Sequence, residues 1–154
     1  MRERIFVALG ANLGDREENL RSALALLAEK GVETVKVSPF LVTAPYGVTD
    51  QPDFVNAVAE VRTDLEPEEL LRMLLETERE MGRKRLRHWG ERNIDLDLVL
   101  YGDRVLDTPD LKLPHPDMQN REFVLAPLAA IAPEVTHPLL GVTVEELLRR
   151  LRER

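Results

Sequence analysis

Hydrophobic and polar residues alternate along three stretches of the chain, with the two-residue period of a β-strand whose faces differ. These stretches are 4–9, 54–62 and 93–101. A further β-rich stretch, 32–43, is interrupted at Pro39. The pattern therefore predicts four strand regions.

The alternation also predicts which side chains share a face. One face of 54–62 carries Val55, Ala57, Ala59 and Val61, and the other carries Phe54, Asn56, Val58 and Glu60. In 93–101, four apolar residues are expected to face one way: Ile94, Leu96, Leu98 and Leu100. Such faces pack against helices.

Helical periodicity marks four other stretches. A capping pair at Asp15 begins one helix, which ends at Gly31, and Pro67 begins a second, which ends at Gly82. Two shorter helices are predicted later in the chain, over 121–132 and, behind a cap at Thr143, to about residue 152.

The element order β-α-β-β-α-β is that of a ferredoxin-like α+β sandwich, in which a mostly antiparallel sheet carries helices on one face. A C-terminal hairpin is expected next, with its turn at Gly102 and its returning strand at 104–107. An ordered loop over 108–120 and the last two helices follow. There is no internal repeat or linker, so 1–154 is predicted to be a single domain.

The composition excludes several classes of protein. The chain of 154 residues has no cysteine, which excludes disulfide frameworks, thiolate zinc sites and cysteine nucleophiles. No stretch approaches the roughly 20 consecutive apolar residues of a membrane helix. The N-terminus also lacks the apolar run of a secretory signal. We therefore expect a cytoplasmic protein with no membrane partner.

The net charge of −7 argues against general binding to nucleic acid or to an anionic membrane. Residues 83–92 nevertheless hold five basic residues and one acid, which leaves 16 basic against 27 acidic residues elsewhere. A basic island in an acidic chain indicates a compact polyanion as the ligand.

Two carboxylates, Asp95 and Asp97, occupy alternate positions of the third alternating stretch. On a strand they point to the same side, about 6.5–7 Å apart along the chain. Mg²⁺ prefers oxygen ligands and substrate phosphates, and it would offset the repulsion between the two carboxylates. The alternative is a solvated polar face of the sheet on which the aspartates hold no ligand.

Basic side chains come directly before these aspartates, at Arg83, Lys84, Arg85, Arg87 and Arg92. Because arginine and lysine bind phosphate oxygens, this adjacency predicts a nucleotide–Mg²⁺ site. The chain has no G-x-x-x-x-G-K-[ST] segment, which excludes a P-loop enzyme. The alternative is a surface loop whose charges pair with acids of the second helix.

Four side chains are suited to a flat heterocycle: Phe54, Asn56, Trp89 and Phe123. Aromatic rings stack on such a ligand, and an amide can hydrogen-bond to its edge. The alternative is that Phe54 and Phe123 belong to the core. The three histidines lack the spacing of a zinc site.

Taken together, these features resemble the 6-hydroxymethyl-7,8-dihydropterin pyrophosphokinase family. Residues 88–99, HWGERNIDLDLV, resemble the signature of that family. Further similar segments come in the family's order along essentially the whole chain: 10–14 (GANLG), 43–47 (TAPYG), 50–56 (DQPDFVN), 114–118 (PHPDM) and 121–128 (REFVLAPL).

The resemblance implies Mg²⁺-dependent transfer of pyrophosphate from ATP to the hydroxymethyl group of 6-hydroxymethyl-7,8-dihydropterin, with release of AMP, in folate biosynthesis. It implies two Mg²⁺ ions, held with ATP by Asp95 and Asp97. ATP and the pterin are then the expected partners, and we expect a monomer that does not bind nucleic acid.

The resemblance also implies roles for individual residues. Catalysis is assigned to Arg83, Arg92, Asp95 and Asp97. ATP binding is assigned to Glu78, Arg85, Arg92, Leu98, His115 and Arg121. Pterin binding is assigned to Thr43, Ala44, Pro45, Tyr46, Phe54, Asn56, Trp89, Asp95 and Phe123. Trp89 would close over the site with its loop.

Three residues depart from the pattern of the family. Leu75 stands where many members have glutamine, Ala44 replaces a common proline, and Phe54 replaces a common tyrosine. The basic loop is also one residue shorter than in some relatives, whereas the Asp-x-Asp segment is intact.

Two other classes of protein fit parts of the pattern. A non-catalytic ferredoxin-like module could bind a nucleotide, but it would not need paired aspartates beside arginines. A metal-dependent nuclease or nucleotidyltransferase would need an extended basic groove, which the acidic remainder of the chain does not offer.

Overall fold

The computed structural model describes residues 3–12, 14–43, 53–82 and 94–154. The strands are β1 (Ile5–Ala11), β2 (Glu33–Val37), β3 (Leu41–Thr43), β4 (Phe54–Arg62), β5 (Asp95–Tyr101), β6 (Leu106–Asp107) and β7 (Lys112–Leu113). The helices are α1 (Arg16–Glu29), α2 (Pro67–Glu80), a 3-10 turn (Met118–Asn120), α3 (Glu122–Ile131) and α4 (Val144–Arg152). No helix in these ranges is long and apolar enough to cross a membrane.

Five strands form one antiparallel sheet in the order β2-β4-β1-β5, with β3 beside β4 beyond the end of β2. Since β2 and β3 together occupy one edge position, this is the strand order of the ferredoxin-like fold, as predicted. The register places Gly10 of β1 opposite Asn56 on one side and opposite Asp95 on the other.

The sheet is covered on both faces. The two helices of the predicted sandwich share one face, as expected, and the C-terminal helices, for which no face was predicted, cover the other. Helices α1 and α2 pack on the face that carries Leu9, Ala57 and Leu96. Helices α3 and α4 pack on the opposite face, against Phe6 and Val58. The second layer forms because these two fully buried side chains need apolar cover, which the C-terminal helices supply.

The predicted face of β5 is correct up to Leu98 and wrong for Leu100. A register shift lies opposite the step from Phe6 to Val7, where β5 contains the additional residue Val99. Such a β-bulge exchanges the two faces of the strand beyond it. As a result Leu100 joins the core beneath α3 and α4.

The segment after β5 also differs from the prediction. Residues 104–107 do not return along β5; instead β6 pairs with β7. The region 108–120, predicted as a loop, contains β7 and the 3-10 turn. The main-chain N–H of His115 donates to the carbonyl of Val99 at 2.9 Å, so this region lies directly against β5.

The predicted helix starts are confirmed by their caps. The Asp15 carboxylate accepts a hydrogen bond from the N–H of Glu18, and the Thr143 hydroxyl accepts one from the N–H of Glu146. Each cap satisfies a main-chain donor that the first turn of a helix leaves without a partner.

His137 organises the turn between α3 and α4. Its side chain is buried, and Nδ1 accepts hydrogen bonds from the N–H groups of Leu139 and Leu140 at 3.2 and 3.1 Å. Burial lowers the pKa of His137. The folded protein therefore holds this imidazole in its neutral form, in which Nδ1 is an acceptor.

We expect the free energy of unfolding to fall as the pH drops below about 6.5, because unfolded His137 then binds a proton that the folded state disfavours. The loss for one proton is at most about 1.4 kcal/mol per pH unit. Urea denaturation at pH 7.5 and 5.5 measures it. His137→Asn, which keeps an acceptor but does not titrate, should show a smaller loss. An equal loss in both proteins would contradict the assignment.

Candidate functional site

A row of three residues crosses one face of the sheet at the end where β1 finishes. Asn56 of β4, Gly10 of β1 and Asp95 of β5 are register partners. Neighbouring strands are about 4.8 Å apart, so Asn56 and Asp95 flank a floor about 10 Å wide. The middle of this floor is glycine, which leaves space above the sheet for a flat ligand.

The next row along the same face places Asp97 opposite Ala8. The central strand thus presents only Gly10 and then Ala8 between the functional side chains. Asp95 and Asp97 are both half-buried and lie on the face away from Leu96 and Leu98, as the alternation predicted.

Glycine is required at position 10 because the Asn56 side chain lies close to its main chain. A Cβ atom at position 10 would lie 2.8 Å from Asn56 Oδ1, which is too close for an ordinary contact. Asn56 is itself 7% exposed, and its Nδ2 donates a 2.7 Å hydrogen bond to the hydroxyl of Thr43. The amide therefore lies between β3 and the middle of the floor.

The aspartate pair fits Mg²⁺ by the chemistry of its donors. Carboxylate oxygens are hard ligands, and Mg²⁺ is commonly bound by one or two carboxylates together with substrate phosphates. Among the residues that the structure describes, no three histidine, aspartate or glutamate side chains form a cluster able to hold a metal ion. Such a pair suits Mg²⁺ bound together with substrate phosphates.

A cleft of about 260 Å³ runs along β5, the last strand of the sheet. Its lining includes Leu71, Asp97, Leu98, Leu111, His115 and Pro116. Its polar groups are the carboxylates of Asp97 and Asp110, the imidazole of His115 and the ammonium of Lys112. A second cleft, of about 220 Å³ and lined by Glu3, Tyr101 and Arg104, lies at the opposite end of β5.

His115 occupies the cleft in a defined protonation state. Burial lowers the pKa of its imidazole, and the nearby charge of Arg121 lowers the pKa further. Nδ1 accepts a hydrogen bond from the N–H of Asp117 at 3.2 Å. Near pH 7 the neutral ring therefore carries its proton on Nε2, which is a hydrogen-bond donor.

Arg121 stands at the start of α3, between two other groups of the site. Its Nε lies 3.3 Å from the Asp117 carboxylate, and its guanidinium carbon lies 5.7 Å from the centre of the Phe123 ring. The hydrogen bond from Asn120, and then that from Arg121, lower the pKa of Asp117. The arrangement presents a partly exposed cation beside an aromatic face.

Phe54 and Phe123 are both half-buried. Their exposure is intermediate between that of a core residue and that of an open stacking group, the two alternatives given by the sequence. Phe123 packs against the core beneath α3 and α4, and Phe54 shares the face of Asn56. Phe54 lies beside the floor, since its Cδ1 is 3.9 Å from the position that a Cβ atom of residue 10 would occupy.

Glu78 lies on α2, and the structure places it in contact with the sheet. It is 6% exposed, and its Oε2 accepts a 2.7 Å hydrogen bond from the main-chain N–H of Leu96. The N–H of Leu96 therefore points away from β1, towards the open edge of β5. Main-chain groups two residues apart on a strand point to the same side, so the N–H of Leu98 is expected to face the cleft along this edge.

Several predicted site residues lie outside the described residues. They are Ala44, Pro45, Tyr46, Arg83, Arg85, Trp89 and Arg92. The predicted site residues that the structure describes are Thr43, Phe54, Asn56, Glu78, Asp95, Asp97, Leu98, His115, Arg121 and Phe123.

Two contributors were not assigned from the sequence. Gly10 lies inside β1, one residue beyond the predicted stretch 4–9, and a glycine within a strand signals a close approach of another group. Asp117 lies four residues before Arg121 in a segment that was noted only for its similarity. Its contact with His115 depends on a tight turn that the sequence pattern does not show.

Comparison with known proteins gives a consistent set of relatives. Residues 6–133 match the family described as "7,8-dihydro-6-hydroxymethylpterin-pyrophosphokinase (HPPK)". The 2-amino-4-hydroxy-6-hydroxymethyldihydropteridine pyrophosphokinase of Haemophilus influenzae is 46% identical over 141 residues, which are 91% of this chain and 88% of that protein. The enzyme of the same name from Pseudomonas aeruginosa is 47% identical over 140 residues, or 90% and 86% of the two chains.

Solved structures share the fold at low sequence identity. The chain of wild-type Plasmodium falciparum HPPK-DHPS with pteroate superposes with a TM-score of 0.80 at 14% identity. The match covers 100% of this chain and 45% of that one. This chain thus spans less than half the length of that solved protein, and the likeness shows the fold alone.

The hydrogen bond from Leu96 to Glu78 generates a prediction about stability. Glu78→Ala leaves a buried N–H without this acceptor and should lower the free energy of unfolding by about 1–3 kcal/mol. Glu78→Gln keeps an acceptor oxygen and serves as the control. Urea denaturation and amide hydrogen exchange at Leu96 measure the effect. Equal stability and exchange in the two variants would show that the bond contributes nothing.

Proposed function

Since the chain belongs to the 7,8-dihydro-6-hydroxymethylpterin-pyrophosphokinase family, we propose that it transfers pyrophosphate from ATP to the hydroxymethyl group of 6-hydroxymethyl-7,8-dihydropterin. The observation that carries the proposal is the row formed by Asn56, Gly10 and Asp95, with Asp97 beside it. This row offers an amide for a heterocycle and two carboxylates for a metal–phosphate group on one face.

The reaction balances without any group beyond the two substrates. The pterin hydroxyl oxygen forms a bond to the β-phosphorus of ATP and loses its proton to solvent. The bond between the β-phosphorus and the oxygen bridging to the α-phosphate breaks, and AMP leaves with that oxygen. Little covalent chemistry is required of the protein, so positioning and electrostatic stabilisation supply most of the catalysis.

Asp95 and Asp97 would hold two Mg²⁺ ions together with the triphosphate. Bound Mg²⁺ supplies positive charge that offsets the charge shifting between phosphate oxygens. The two carboxylates project from one rigid strand, so their spacing is set by the backbone. The ions and their number are part of this proposal.

The described residues at the cleft would bind ATP. His115 Nε2–H and the Arg121 guanidinium can donate hydrogen bonds to phosphate oxygens. Leu98 would contact the nucleotide through its main chain, and Glu78 would act near the adenosine. Arg83, Arg85 and Arg92, from the basic segment, would supply further charge to the phosphates, with Arg83 and Arg92 also assisting the transfer.

The pterin would lie on the floor between Asn56 and Asp95. Phe54 and Phe123 would stack on its faces, and Asn56 would hydrogen-bond to its edge together with Thr43 and the 44–46 main chain. Trp89 would close over the bound substrates and exclude water, which could otherwise accept the pyrophosphate.

We also propose that 1–154 forms one domain, acts as a monomer in the cytoplasm and needs no nucleic acid or membrane partner.

The test of the reaction is AMP release from ATP and Mg²⁺, with and without the pterin. Pterin-dependent AMP supports the proposal, whereas folded, ATP-binding protein that releases none would be a nucleotide-binding module.

Asp97→Asn should lower kcat by more than about a hundredfold, since a metal ligand is lost. Asp103→Asn, in the turn after β5, is the matched control and should keep wild-type turnover. Full activity of Asp97→Asn would overturn the metal assignment.

The stacking role of Phe54 predicts a selective effect on substrate affinity. Phe54→Ala should raise KM for the pterin by about tenfold or more, as expected for a lost aromatic stacking partner. KM for ATP should change much less. Phe40→Ala removes a half-buried ring on the α1 side of the sheet and is the control for packing. A larger change in the KM for ATP would place the pterin elsewhere.

A further inference from the structure

We propose that the Thr43 hydroxyl is a positioning group that, together with the Cα–H of Gly10, fixes the orientation of the Asn56 amide, so that Oδ1 lies over Gly10 and recognises an N–H donor on the heterocycle. This inference rests on the proposed function, because it concerns the same pterin site. It assigns Thr43 a role through its side chain, acting on Asn56, in addition to any contact made by its main chain.

The two ends of an asparagine side chain have nearly the same shape and opposite hydrogen-bonding character. One end donates through Nδ2 and the other accepts through Oδ1, so the local contacts decide which end a ligand meets. In the structure, Nδ2 of Asn56 donates to the Thr43 hydroxyl at 2.7 Å. The donor end is therefore directed towards β3, at the side of the site.

The acceptor end is placed by the central strand. Oδ1 lies 2.8 Å from the position that a Cβ atom of residue 10 would occupy. Gly10 carries a Cα hydrogen in this direction in place of a side chain, and a Cα–H group is a weak hydrogen-bond donor that tolerates an oxygen. Thr43 and Gly10 thus hold the amide plane from opposite sides, across the width of β4.

The pairing of β3 with β4 makes this contact possible. Leu41 is the register partner of Asn56, and Thr43 is the partner of Phe54. Thr43 therefore reaches Asn56 diagonally on the same face, as residues two apart on paired strands do. Because Asn56 is 7% exposed, solvent competes little with the hydrogen bond that orients it.

The orientation determines what the site can recognise. An acceptor over the floor pairs with a donor, and its partner across the floor, Asp95, is also an acceptor. The substrate named for the relatives carries a 2-amino group, which is a donor of this kind. The inferred arrangement favours a heterocycle with N–H groups on the edge facing Asn56.

The experiment compares Thr43→Val, which removes the hydroxyl and keeps the β-branched shape, with Thr43→Ser, which keeps the hydroxyl. Thr34→Val, on β2 opposite Val61, is the matched control on the same edge of the sheet. AMP release gives kcat and both KM values. We expect Thr43→Val to raise KM for the pterin about fivefold to tenfold with little change in KM for ATP, as for one lost hydrogen bond. Thr43→Ser should recover most of this loss, and Thr34→Val should behave as wild type.

A second measurement does not depend on turnover. The Asn56 side-chain amide signals, identified by their loss in Asn56→Asp, should exchange with solvent slowly in the wild type and rapidly in Thr43→Val. The ratio between the affinity for the pterin and the affinity for its analogue without the 2-amino group should also be smaller in Thr43→Val than in the wild type.

The outcomes separate the two proposals. Absence of pterin-dependent AMP in the wild type overturns the proposed function, while the exchange data still test the Thr43–Asn56 bond. An active wild type with equal pterin KM in Thr43→Val and Thr34→Val overturns the positioning role. Unchanged discrimination against the 2-deamino analogue in Thr43→Val overturns the recognition of a donor by Oδ1.

Discussion

The register of three neighbouring strands is the constraint on which the site depends. Gly10 lies between Asn56 and Asp95, and Ala8 lies beside Asp97. A shift of one residue in either pairing would turn these side chains to the other face of the sheet. The buried residues on both faces prevent such a shift, because each face has its own apolar core. The stability of the fold and the geometry of the site therefore have the same origin.

The C-terminal helices contribute to function as well as to packing. They cover the face that carries Phe6 and Val58, and α3 begins directly after Arg121. The same segment places His115 against β5 through the bond to Val99. His115, distant in sequence from Asp97, thus shares a cleft with it.

Local pattern was sufficient to predict most elements and the shared face of Asp95 and Asp97. Alternation and capping residues are local signals, and β4 begins and ends where they indicate. The second helical layer, the pairing of β6 with β7 and the role of Gly10 depend on contacts between distant segments. A single sequence does not state which strands are neighbours, so Asn56 could be proposed as a ligand group while its bond to Thr43 could not.

The bulge at Val99 divides β5 into two halves whose side chains alternate in opposite phase. Before it, Asp97 and Leu98 face as simple alternation requires; after it, Tyr101 faces α2 and donates its hydroxyl to the carbonyl of Leu65 at 2.5 Å. Deleting Val99 would restore simple alternation along the whole strand. Either the aspartates or Tyr101 would then face the opposite side of the sheet from the one it faces now. The number of residues in this strand is therefore fixed by the opposite requirements of its two halves.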